Sequence, residues 1–193
     1  YEQSLALRQR LGVREDIAEA LNNVAGVLYW LERWDEALNA FQRALDMFDM
    51  LGDRHGQAQT WLNIGAVYER LGRDEEAEQG YQRSLAIYTN LGDEAGQAQA
   101  LNNLGIIYLN AGETERALSH FKRSLALKER RGDRTGVALT LNNIALLYEK
   151  EESIRLALDH YERAYQILDV LEDPRAGIVR QNIDALRARL DEA

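Results

Sequence analysis

The chain has 193 residues, 46% of them apolar and 28% charged, with 14 Gly, one Pro, no Cys and a formal net charge of −9. Without Cys there is no disulfide framework, thiolate metal site or cysteine nucleophile; no run of about 18 apolar residues could span a membrane; and no cationic stretch precedes an apolar one as a leader peptide requires. The acidic balance argues against a phosphate backbone as ligand and the apolar content against wholesale disorder, so a cytoplasmic protein without nucleic-acid or membrane partners is expected.

Along the chain one pattern returns every 40 residues. Residues 1–12 read as the second helix of a preceding unit, because Tyr1 and Ser4 stand in phase with Phe41 and Ala44 and Leu11-Gly12 follows as a stop. Four full helix pairs are expected over 13–52, 53–92, 93–132 and 133–172. In the second, Trp61, Ile64, Gly65 and Tyr68 make one stripe of a 3.6-residue period. Leu71-Gly72 stops that helix, since Gly tolerates the left-handed conformation that ends one. Ala77, Tyr81, Ser84, Leu85 and Tyr88 make the second stripe, and Leu91-Gly92 stops it. Asp53, Asp93, Asp133 and Asp173 sit where an N-cap belongs, and Pro174 stands at the first helical position, where its missing N–H does no harm. Where Glu32, Glu152 and Glu172 replace the Gly, a less regular turn or a shifted boundary is expected. Residues 173–193 form a first helix without its partner, or a capping helix, for which the polar Arg180, Gln181, Asp184, Arg187 and Arg189 are suited. Half units at both ends and no initiator Met point to a segment of a longer array.

The pattern Trp61-x-x-Ile64-Gly65-x-x-Tyr68 with Ala77, Tyr81 and Ser84 resembles the tetratricopeptide repeat. Leu101, Leu104, Gly105, Tyr108, Ala117, Phe121 and Ser124 match again, as do Leu141, Ile144, Ala145, Tyr148, Ala157, Tyr161 and Ala164. The first copy is looser: Leu21, Val24, Ala25, Leu28, Ala37, Phe41 and Ala44. The family unit is about 34 residues; the longer form here is similar to the repeats of Pins/LGN adaptors, kinesin light chains and bacterial signalling-protein arrays. The resemblance implies an all-α fold, an alpha-alpha superhelix (a solenoid) of antiparallel helix pairs with about ten helices, forming a single array over 1–193.

In such arrays the first helices line a concave groove, which the resemblance carries over to this chain. Asn23, Asn63, Asn103 and Asn143 then form a ladder on the groove face, with Asn22, Asn102 and Asn142 as a second series beside it. Asn is a mediocre helix former, so four at one mid-helix position need a reason. A carboxamide donates and accepts, and so matches a peptide group. The same amides could instead bond the neighbouring repeat and set its twist; both roles stand open at this point. Tyr29 and Trp30 are candidate anchors, since exposed aromatics carry much of an interface's energy. Glu69, Arg70, Asn110, Glu149 and Lys150 complete the expected peptide-binding set. Trp61 is expected in the core and Trp34 at a repeat junction. The recurring Arg43, Arg83, Arg123 and Arg163 suit surface ion pairs, and His120 and His160 lack the partners of a metal site.

No phosphate-binding loop, nucleophile elbow or metalloprotease motif is present. The expectation is therefore a scaffold without catalytic residues, cofactor or metal, which binds a partner protein's extended peptide segment in its groove. The alternative is a self-assembly module whose open ends, near Leu5 and Ile183, stack on other chains.

Overall fold

The computed structural model describes residues 2–191, with side chains from 12 to 190. All regular structure among them is helical: α1 (Glu2–Trp30), α2 (Trp34–Leu51), α3 (Arg54–Arg70), α4 (Asp74–Leu91), α5 (Glu94–Asn110), α6 (Thr114–Arg130), α7 (Arg134–Lys150), α8 (Ile154–Val170) and α9 (Ala176–Asp191). The chain divides into two compact units, Tyr1–Ala100 and Leu101–Ala193.

Three of the four caps expected from the sequence form; α9 begins only at Ala176, so Asp173 and Pro174 stand ahead of it rather than at its cap and first position. Asp53 accepts from the Gly56 amide at 2.9 Å, Asp133 from Gly136 at 2.8 Å, and Asp93 from Ala95 and Gly96 at 2.9 and 3.1 Å. Each satisfies N–H groups that a helix start leaves open. Gly52, Gly72, Gly92, Gly112 and Gly132 all adopt φ between 68° and 77°. At the three positions without Gly the expected irregular turn does not occur. Glu32, Glu152 and Glu172 take the same left-handed conformation, with φ of 59°, 55° and 54°. The turn's hydrogen bonds are likewise kept: Ser153 N donates to Tyr148 O at 2.9 Å, as Arg73 N does to Tyr68 O. The tertiary packing of the hairpin imposes the turn against the side chain's preference.

In the first unit α1 pairs with α2 and α3 with α4. Ala25, Ala37, Phe41, Leu45, Ile64 and Val67 form its main core, with Trp34 and Trp61 packed against it. The small residues set the spacing: a Cβ on Gly65 would stand 2.7 Å from the Tyr81 ring, and one on Gly80 3.1 Å from the Gly65 backbone. One expectation fails here. Leu11-Gly12 does not end a helix; α1 runs through it, so one element stands where two were expected. Gly12 is absent from the left-handed positions, and Val13 follows it where Asp53, Asp93 and Asp133 follow the working stops. With no cap at Val13, continuing the helix is what pairs its amides.

In the second unit α7 and α8 pair, and α9 packs on α8. Leu141, Ala145, Tyr161, Leu168, Val179, Ile183 and Leu186 share the core. α9 is one-sided: Val179, Ile183 and Leu186 are buried, while Arg180, Asp184 and Arg187 are exposed. Ile183, expected at a sticky open end, is only 4% exposed, because its 3.6-residue stripe faces α8. Leu5 lies outside the described side chains. The apolar open face is instead on α1, where Val13, Ile17, Val24 and Val27 are all exposed, with the exposed Leu31 just past its end.

Candidate functional site

Within each unit the first helices lie side by side, and their Asn residues meet. In the first unit Asn63 Nδ2 donates to Asn22 Oδ1 at 3.4 Å, and Gln59 Nε2 donates to Asn63 Oδ1 at 3.3 Å. In the second unit Asn143 Nδ2 donates to Asn102 Oδ1 at 3.2 Å. The Thr60 hydroxyl stands 2.7 Å from Gly56 O and 3.3 Å from Asn22 Oδ1, so its single proton goes to the nearer carbonyl. Thr140 repeats this, at 2.9 Å from Gly136 O and 3.3 Å from Asn102. The two Asn series thus act together, an amide of one clasping an amide of the other 41 residues away. At 3.2–3.4 Å these contacts are longer than the usual 2.9–3.0 Å of a good N–H···O bond. Asn23 is exposed and Asn103 and Asn142 half-exposed, with no hydrogen bond among the described residues.

The C-terminal ends of the first helices carry the rest of the expected set. Arg70 Nε donates to the Tyr29 hydroxyl at 3.0 Å, and Lys150 Nζ to Leu109 O at 3.1 Å. Glu69 accepts from Tyr81 OH at 2.7 Å and Glu149 from Tyr161 OH at 3.0 Å, tying first helix to second. Burial, then these carboxylates, push both phenols well above their usual range, so they remain proton donors. Glu149 also pairs with Arg189 at 3.5 Å. Asn110 is exposed at the end of α5.

Tyr29 is half-buried, but Trp30 is 80% exposed, its ring edge-to-face with Tyr29 at 5.6 Å. Beside them lies a pocket of about 200 Å³ lined by Gly26, Tyr29, Trp30, Phe41, Asn63 and Ala66. A second pocket of about 210 Å³, also between α1 and α3, is lined by polar groups including Glu19, Asn22, Asn23, His55 and Gln59.

Other expected residues have packing partners. Trp61 is half-buried in the core, with the Arg83 guanidinium 4.3 Å over its ring. Arg163 pairs with Asp159 at 3.5 Å. His120 and His160 each bond the carbonyl four residues back at 2.8 Å and lie against Tyr108 and Tyr148. Sequence reasoning missed Lys128, which donates to Thr140 at 2.8 Å beside the Asn102 amide. Burial lowers its pKa from the ordinary lysine value. The signal was available: Lys128 interrupts a column of Phe48, Tyr88 and Leu168.

A tetratricopeptide repeat pattern matches residues 16–90, 56–130 and 96–169. The chain belongs to the tetratricopeptide repeat family. No curated protein matches it. Among solved structures, BtubC (BKLC) from P. vanneervenii is similar over 100% of this chain and 88% of its own, at 19% identity and a TM-score of 0.74. Aspartyl phosphate phosphatase F from Bacillus subtilis is similar over 91% of this chain and 45% of its own, at 15% identity and 0.83. The apo form of RapI is similar over 89% and 48%, at 16% identity and 0.78. The tetratricopeptide chain spans about half the length of these last two proteins. At such identities the likeness is one of fold. Among the described residues no helix is long and apolar enough to cross a membrane, and no group of His, Asp or Glu has the makings of a metal site.

Proposed function

We propose that this chain is a non-catalytic docking scaffold, which holds an extended segment of a partner protein against its first helices. The observation that carries the reading is the pair of long amide clasps, Asn22 with Asn63 and Asn102 with Asn143. Half-buried amides joined at 3.2–3.4 Å give up little when a peptide group takes one of them at a normal distance. Asn23 and Asn103 stand next to them with no bond to give up. The phosphatase among the similar structures shares a fold with the chain, and its activity is not carried over.

Asn23→Ala with Asn103→Ala is the direct test, because neither side chain holds the fold together. Binding of partner peptides should weaken about tenfold while the melting temperature stays within a degree or two, in keeping with about 0.5–1.5 kcal/mol per lost hydrogen bond. Unchanged binding would remove these amides from the site. Asn63→Ala and Asn143→Ala separate the other role: a drop in melting without a change in binding assigns the clasps to repeat packing.

One observation favours a second reading, self-assembly. Val13, Ile17, Val24 and Val27 leave an exposed apolar stripe on α1, whereas on α9 Ile178 is the one large exposed apolar side chain among the described residues. Concentration-dependent mass in light scattering, cured by Val24→Glu with Val27→Glu, would support it. A monomer at all concentrations would exclude it.

A further inference from the structure

Two of the stations at which the first copy's first helix differs from the others lie side by side on one face. Gly26 stands where later copies have Ala66, Ile106 and Leu146, and Trp30 where they have Arg70, Asn110 and Lys150. A Cβ placed on Gly26 would meet nothing within 4 Å, so the glycine is not there to let helices touch. Its effect is the pocket of about 200 Å³ between α1 and α3, with Phe41 at its base and the exposed Trp30 at its side. An apolar hole next to an indole that is 80% exposed stays in water only until an apolar group covers both.

Charge says what flanks that group. Arg70 reaches the rim of the pocket through Tyr29: its Nε bonds the Tyr29 hydroxyl at 3.0 Å, and its guanidinium lies 5.9 Å from the ring centroid. Among the described residues Arg70 makes no close salt bridge: Glu69, whose carboxylate accepts from Tyr81, and Glu32 attract it only at longer range. The other end of the same gap carries Glu19 and Asp53, which would repel an acid. A carboxylate is therefore favoured only on the Arg70 side.

We propose that the pocket lined by Gly26, Tyr29, Trp30 and Phe41 is a specificity pocket for an extended peptide that carries a large apolar side chain next to an acidic residue. The apolar side chain fills the pocket against Trp30, and the acidic one pairs with Arg70. Asn63, at the wall of the pocket, has one Nδ2 proton left for the peptide main chain after bonding Asn22. This inference rests on the docking reading above and names the ligand for one part of that face.

The test is selection of random displayed dodecapeptides on the immobilised 193-residue chain, followed by fluorescence anisotropy with labelled copies of the selected peptides. The expected peptides share an aromatic or branched apolar residue with Asp or Glu beside it. Gly26→Leu, which copies the side chain of Leu146, should weaken them at least tenfold without lowering the melting temperature. Arg70→Glu should shift the selected neighbour from acidic to basic. Peptides that lose binding on Asn23→Ala with Asn103→Ala but ignore Gly26→Leu would overturn the pocket and leave the docking reading standing. Failure to select any binding peptide would overturn both.

Discussion

Glu152→Gly is expected to stabilise the protein. Glu152 sits at the α7–α8 turn with φ at 55°, where Gly72 and Gly112 occupy the equivalent α3–α4 and α5–α6 turns at 69° and 77°. Its side chain is exposed and makes no hydrogen bond or ion pair among the described residues, so little is lost with it. Its backbone bond to Glu149 O at 3.0 Å matches that of Gly72 to Glu69 O at 3.1 Å, so the turn is already one that Gly makes. Holding an L residue in the left-handed region costs about 1–2 kcal/mol. Gly returns about 0.4–1 kcal/mol of this through the greater freedom of the unfolded chain. The net gain is about 0.5–1 kcal/mol, or roughly 1–4 °C in melting temperature for a chain of this length. Urea denaturation of Glu152→Gly should show a raised midpoint at unchanged slope, and Gly72→Ala should show the opposite shift. The reasoning is refuted if Glu152→Gly lowers the midpoint, or if Gly72→Ala is tolerated without loss.

Ser84→Ala should stabilise by about 1 kcal/mol in thermal melts, since the Ser84 hydroxyl is fully buried with no hydrogen-bond partner and Ala44 and Ala164 hold the same station; Ser124→Ala, whose parent serine has a partner, should not. Tyr81→Phe removes a 2.7 Å bond to the Glu69 carboxylate and should destabilise by about 1.5–3 kcal/mol, while a neutral result in urea would show that the bond is solvated away. Asp173, bonded by the Arg175 side chain and backbone, has its pKa held down to about 2. Because the folded value lies below the ordinary 3.8, its contribution is complete above about pH 4 and vanishes as pH falls through 2. The denaturation midpoint should therefore fall between pH 4 and 2 more steeply for the native chain than for Asp173→Asn, and parallel curves would exclude the linkage.

What was legible in the sequence was whatever depends on residues close along the chain. The stripe through Trp61, Ile64, Gly65 and Tyr68, the caps at Asp53, Asp93 and Asp133, and the left-handed Gly stops are all interactions of i with i+3 or i+4. They made the helices and the family readable without any tertiary information. Two of the failed expectations concern where helices stop. At Gly12 a local stop signal met no cap and was overridden, and at Glu152 an unsuited side chain was forced into a turn that the packed hairpin requires.

The sequence alone determined that this protein is a run of amphipathic helices with a column of amides on one face of the first helix of each pair. Only the tertiary structure decided what the amides do to one another, because Asn22 and Asn63, or Asn102 and Asn143, are 41 residues apart and meet only once the helices pack. It also turned the missing side chain of Gly26 into a pocket, and left Trp30 exposed while Tyr29 beside it was held by Arg70. Periodicity says which face a residue is on; the space between two faces exists only when both are in place.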